Sequence, residues 1–285
     1  MTEWRDWSSW RQIGAAAVDE VASAATVGTA AARAVAELAS NVADHAPEAY
    51  PEPISDAVEL LIERQPVMAP IANLRNVVYL ALPGGPEAVA AAATELADRL
   101  EASTRLIGKT GAELITPGAT VLIHSASSSV RAVLEEAKRL VAFSVCCTEA
   151  QPIGEGIEMA ADLTAGGFDV ELLEDDVAID LLGGMDLVMA GADAIGPGFA
   201  VNKTGTAALA RRARAIGVPF YLVAAAEKVL PAQLFEKAVG RLRPESLAEV
   251  ISLDWFTAVV SDAGILEPDE AVKLASGRPV ADQLA

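Results

Sequence analysis

Five short apolar runs, alternating with helix-like segments from just after residue 118, constrain this chain more than any other feature. They are ATVLIH (119–124), AFSVC (142–146), FDVEL (168–172), DLVMA (186–190) and PFYLVA (219–224). Four are followed by segments of helical character, and the stretch after Leu172 is short and acidic. Strands apolar on both faces belong in a parallel sheet covered by helices on each side. The expected fold is therefore α/β, a doubly wound parallel sheet over residues 113–285 behind an N-terminal helical domain over residues 1–112. Ligands of such sheets bind beyond the carboxyl ends of the strands. No G-x-G-x-x-G follows the first run, so no dinucleotide cofactor is expected.

Residues before 113 read as helices. Residues 12–39 form a long stretch rich in Ala and Val. Residues 54–64 (ISDAVELLIER) carry apolar side chains at helical spacing, with Ser55 or Asp56 as the cap. Residues 86–100 open on a proline suited to a first helical turn. HAPEAYPEP (45–53) and LPGG (82–85) have loop chemistry. Trp4, Trp7 and Trp10 fall at i, i+3 and i+6, an aromatic stripe suited to packing against the core or a partner subunit.

With 285 residues, 52% of them hydrophobic, the chain can bury a core large enough for two domains. Its 21 basic and 40 acidic residues give a formal charge of −19. That balance argues against nucleic acid or an anionic membrane as partner, but not against a small anion held by local cations. The start MTEWRDWSSWRQ is polar, with charges of both signs, and has no signal-peptide character. Charges break every apolar run well short of the roughly 20 residues a bilayer needs. Cys146 and Cys147 are adjacent, a poor arrangement for a disulfide, and two thiols alone cannot build a structural zinc site. A cytoplasmic protein without metal or other cofactor is expected.

The strand ends carry the chemistry. Residues 189–206, MAGADAIGPGFAVNKTGT, bring Asp193 to the end of the fourth run. A Gly/Pro-rich loop then leads to Asn202, Lys203 and Thr204, which open a helix near Gly205. An acid, an amide, an ammonium and free helical N–H groups around one small volume suit a phosphorylated polar ligand. The first run ends in His124, Ser125, Ser127 and Ser128. Their hydroxyls suit phosphate oxygens, and Ser127 or Ser128 equally suits ordinary helix capping. His124 reads as an acid–base group or a hydrogen-bonded structural residue. After the second run, Glu149 can accept from two vicinal sugar hydroxyls. Arg75, between amides in Asn73-Leu74-Arg75-Asn76, is a phosphate ligand or a solvated helix arginine. The acidic Glu174-Asp175-Asp176 reads as a solvated loop.

The GADAI…NKTGT block resembles a known family. Supporting likeness comes from Gly14-Ala15-Ala16, residues 64–76, the strand ends and the tail TAVVSDAGIL (257–266). The family comprises aldose–ketose isomerases of sugar 1-phosphates and the alpha, beta and delta subunits of translation initiation factor 2B. The resemblance implies an N-terminal helical domain, a Rossmann-like C-terminal domain and a homodimer. It implies a phosphorylated ligand, a sugar phosphate or nucleotide, with Asp193 as the acid–base residue. Asn202, Lys203, Gln151 and Gly14 fall at its ligand positions, and Ser125 at the position of the isomerases' cysteine. A hydroxyl is a far weaker acid than a thiol of pKa about 8.5. Gln151 and Gln65 stand where the isomerases carry arginines, with Arg64 shifted by one, so two bidentate phosphate clamps are lost. Three readings follow. One is an isomerase with altered chemistry, Asp193 acting with His124 or Cys147. The others are a ligand-binding or regulatory protein, and an assembly subunit.

Overall fold

The computed structural model describes residues 4–19, 21–243 and 247–285, so residues 1–3 of the polar start and Glu20 of the expected helical stretch lie outside the described residues. The chain forms two compact units. One comprises Met1–Ala102, Leu230–Leu242 and Ser276–Ala285; the other comprises Ser103–Val229 and Arg243–Ala275. The division thus falls ahead of residue 112, and two later segments rejoin the first unit.

The first unit is helical: α1 (Ser8–Ala17), α2 (Ala24–His45), α3 (Glu52–Arg64), α4 (Ala69–Ala81) and the first part of α5 (Pro86–Ala112). The long stretch expected over 12–39 is two helices. The Asp19 carboxylate accepts from the amides of Val21 and Ala22 and turns the chain, and Ser23 then caps α2 through the Thr26 amide. Helix α3 starts before Ser55 and Asp56, with Pro53 in its first turn, so neither residue is its cap. Helix α4, which carries Asn73, Arg75 and Asn76, has Pro70 in its first turn. The Asn76 side chain binds the returning tail: its amide donates to the Pro279 carbonyl and its oxygen accepts from the Ala281 amide. The tryptophans do not share one helix. Trp4 sits in a separate 3-10 turn, edge-on to Trp10 at 4.6 Å, while Trp7 meets His45 at 6.4 Å.

The second unit alternates strand and helix: β1 (Thr120–His124), α6 (Ser128–Lys138), β2 (Ser144–Thr148), α7 (Glu155–Ala165), β3 (Asp169–Leu173), α8 (Asp175–Leu181) and β4 (Leu187–Ala190). Then come β5 (Ala194–Gly196), β6 (Phe199–Lys203), α9 (Thr206–Ile216) and β7 (Phe220–Val223). After α10 (Ala232–Val239), which belongs to the helical unit, come β8 (Ala248–Ser252), β9 (Ala258–Ser261), β10 (Gly264–Leu266) and α11 (Pro268–Val272). Seven strands form one sheet in the order β10-β9-β7-β4-β1-β2-β3, parallel except for β10.

The period-two alternation of each strand feeds two cores. Val121, Ile123, Val145 and Met189 pack on one face with Val130 and Val133 of α6 and Leu163 of α7. Leu122, Cys146, Val188 and Leu222 pack on the other with Ala178 of α8 and Leu209 of α9. The sheet is doubly wound, as expected.

The segment after Asp193 differs from the expected loop. Pro197-Gly198, with Gly198 at φ +74°, turns the chain so that β5 and β6 pair antiparallel, and β8 completes a three-stranded sheet. Asn202 and Lys203 are therefore strand residues, and α9 begins only at Thr206. Among the described residues no helix is long and apolar enough to cross a membrane.

Candidate functional site

The chain runs outward from β1 through β2 to β3, then returns to the other side of β1 as β4. That reversal opens a crevice at the carboxyl ends of β1 and β4, where an open α/β sheet places its ligand. The residues delivered there are His124 and Ser125 from β1 and Asp193 from beyond β4.

His124 is a buried structural histidine. Its Nε2 lies 3.1 Å from the Thr204 carbonyl, which only accepts, so Nε2 carries the proton. Nδ1 then accepts from the Thr148 hydroxyl at 2.7 Å. Burial lowers its pKa and keeps the ring neutral, against the pull of Asp175, Glu155 and Glu249. Gly205, at φ +104°, lets α9 begin against this ring; a Cβ there would stand 3.0 Å from the imidazole.

Ser125 sits in the left-handed region at φ +65°, and its hydroxyl donates to Glu155 Oε1 at 3.1 Å. Glu155 also holds Lys203, with Nζ 2.8 Å from Oε1 and 3.1 Å from Oε2. Gly156 makes this possible: α7 approaches β2 so closely that a Cβ there would meet the Thr148 carbonyl at 1.8 Å. Asp193 keeps part of its surface open. Burial raises its pKa, Lys228 and Lys203 oppose the rise, and Glu155 adds to it. Lys228 is buried, and its pKa is lowered by burial against the field of Asp193. A bridge between Ile195 and Val229 fixes the chain beside β5, which sets Lys228 at this place.

Several groups expected to meet the ligand have partners within the protein. Ser127 caps α6 through the Val130 amide at 3.3 Å. The α9 amino end is capped by Glu249, whose Oε1 accepts from the Gly205 and Ala207 amides at 2.9 Å each. Asp175 is no solvated-loop residue; its carboxylate accepts from the Ala150 and Gln151 amides, both at 2.9 Å. Glu149 accepts from the Gln151 side chain at 3.1 Å. The Asn202 amide donates to Thr206 Oγ1 at 2.9 Å. Ser128 is the first residue of α6. Cys147 is buried, its thiol donates to the Gly156 carbonyl at 3.3 Å, and burial pushes its pKa up to about 12. Cys147 and His124 are both buried and hydrogen-bonded within the protein.

The structure thus gathers His124, Ser125, Lys203 and Asp193, with Asn202, Glu149 and Gln151 on the neighbouring segments. Arg75 and Gly14 lie in the helical unit. Arg75 is clamped to both Glu59 oxygens, at 2.6 and 3.0 Å, and Tyr79 donates to the same carboxylate at 2.6 Å. It lines a groove with Lys237 and Arg241. Gly14 lies within α1, with nothing within 4 Å of where its Cβ would be. Gln65 is buried and donates to the carbonyls of Ala17 and Asp19. Sequence reasoning missed Glu155, Lys228 and Glu249. Only Glu155 carried a usable signal, a carboxylate between two glycines just past a strand end. Among the described residues no group of three or more His, Cys, Asp or Glu could hold a metal ion.

Comparison with known proteins agrees with this fold. A ribose 1,5-bisphosphate isomerase of Methanocaldococcus jannaschii is 29% identical over 280 residues, covering 88% of this chain and 89% of the relative. A putative translation initiation factor eIF-2B subunit 2-like protein of Pyrococcus abyssi is 30% identical over 225 residues, covering 75% of this chain and 80% of the relative. The solved structure of translation initiation factor eIF-2B from Pyrococcus horikoshii superposes with a TM-score of 0.82 at 24% identity, over 93% of this chain and 98% of that one. The model of the initiation factor 2 subunit family matches residues 20–254, most of the helical unit and nearly all of the sheet unit, and the chain belongs to that family.

Proposed function

We propose that the carboxyl ends of β1, β2 and β4 form an aldose–ketose isomerase-type pocket for a pentose-type sugar phosphate, with Asp193 as its acid–base residue. One observation carries the reading: Asp193, a residue of intermediate burial, is a carboxyl group of raised basicity beside the buried side chains of Lys203 and Lys228. Converting an aldose 1-phosphate to its ketose breaks the bond between C1 and the ring oxygen. It moves the C2 hydrogen to C1 and hands the O2 proton to the ring oxygen. Each transfer needs a group able to give and take a proton near neutral pH, which burial makes of a carboxyl group. The two ammoniums oppose the negative charge that develops on the ring oxygen and on O2. The names of the relatives, isomerases of ribose 1,5-bisphosphate and of methylthioribose 1-phosphate, support the same class of substrate.

A second reading has its own observation. Ser125 stands in the thiol's place and its hydroxyl is committed to Glu155, while both nitrogens of His124 are engaged. A ligand-binding or assembly subunit that keeps the pocket without turnover would look the same. Proton NMR in heavy water with methylthioribose 1-phosphate and ribose 1,5-bisphosphate separates the two. Ketose, or deuterium entering C1 or C2, is the expected result. Asp193→Asn then lowers turnover by about 100-fold or more while ligand still binds. Unchanged turnover in that variant removes Asp193 from the mechanism, and no exchange in the wild type selects the second reading. A homodimer in the cytoplasm completes the proposal, and light scattering of the purified chain tests the dimer.

A further inference from the structure

Three places at the strand ends that could bind a phosphate already hold a carboxylate of the chain itself. Lys203, with 9% of its side chain exposed, is paired with Glu155 through both carboxylate oxygens. The first amides of α9 converge on Glu249. The turn after β2 aims the amides of Ala150 and Gln151 at Asp175, the kind of backbone concavity that binds anions. Glu155, Glu249 and Asp175 come from three different elements, α7, β8 and α8.

We infer that the Lys203 side of the strand ends binds a hydroxyl-bearing part of the ligand and turns a phosphate away, with Glu155 as the specificity-determining residue. This rests on the isomerase-type reading and narrows it: the phosphate of a sugar phosphate is not held by Lys203 or by the α9 amides. Glu155 holds Lys203, Asp193 lies in the field of Lys203 and Lys228, and Asp175 and Glu249 occupy the backbone amides of the adjoining turns. A dianion entering among these carboxylates is repelled, whereas ionised carboxylates are pure acceptors and suit vicinal hydroxyls. Glu155 is also tethered, so a free phosphate competes with an anion at an effective concentration of about millimolar or more.

The test is binding of inorganic phosphate to the full chain, read by titration calorimetry and by the phosphorus NMR linewidth. The wild type shows no phosphate binding that depends on Lys203. Glu155→Gln, which keeps the shape and removes the charge, binds phosphate at least about ten-fold more tightly, and adding Lys203→Met abolishes the gain. Phosphate binding to the wild type that Lys203→Met removes overturns the inference. So does a Glu155→Gln protein with no gain. The linewidth measurement on the wild type needs no variant to fold: tight binding that competes with ribose overturns the inference as well. The isomerase reading is judged separately, by deuterium exchange and Asp193→Asn.

Discussion

The helical unit and the strand ends use the same ion-pair chemistry in opposite surroundings. In the helical unit, Arg33 reaches Asp98 and Glu101 with side chains 42%, 62% and 51% exposed. Arg5–Asp56 and Arg99–Glu95 are similarly open. At the strand ends, Lys203 and Glu155 are 9% and 10% exposed. Water screens the first set, so each pair adds only about 0–1 kcal/mol and removing one partner leaves the other hydrated. The second has lost its water, so either partner left alone is a buried charge. A charge kept in such a place is retained against a cost, which makes it the better pointer to a site.

Lys203→Met breaks this contrast most severely. It leaves Glu155 buried without its cation and is expected to cost about 3–5 kcal/mol in urea unfolding, with Lys203→Met/Glu155→Gln recovering much of the loss. Equal losses in the single and double variants would show that the pair is not coupled. Glu249→Ala removes the acceptor of two α9 amides and should cost about 1–2 kcal/mol in the same assay. His124 sharpens the contrast through pH. Its folded pKa lies below the usual value of about 6.5, so below that pH the unfolded chain takes up a proton the native ring refuses. Stability therefore falls as pH drops from about 6.5 toward the folded pKa, by about 1.4 kcal/mol per unit. Melting temperatures from pH 7.5 to 5.5 should show this slope relative to His124→Asn, and parallel curves would contradict it. Arg33→Ala marks the other extreme, with a change within about 0.5 kcal/mol. A larger loss would mean that the surface pairs of the helical unit act as a network.

The parallel strands were legible because residues 121–123 and Leu187–Ala190 are apolar at consecutive positions, a pattern that double-sided burial explains. The β5–β6 hairpin was not: Gly196-Pro197-Gly198 reads as loop chemistry, and its strands are too short to show alternation. For the site, Asp193 and Lys203 were visible from the block around them. Glu155, Glu249 and Lys228 were not, because their partners lie 48, 42 to 44 and 35 residues away in sequence and meet only in the folded sheet. Asp175 was misread for the same reason, since a run of carboxylates looks solvated until the amides it serves, 24 and 25 residues earlier, are brought to it.

The return of the tail to Asn76 has a consequence for the order in which the chain takes shape during synthesis. The helical unit emerges first, yet two of its pieces, Leu230–Leu242 and Ser276–Ala285, are made after most or all of the sheet unit. The polar atoms of Asn76 wait for Pro279 and Ala281, 203 and 205 residues downstream. The helical unit, begun before the sheet unit, is therefore completed only after it, when Ser276–Ala285 has been made.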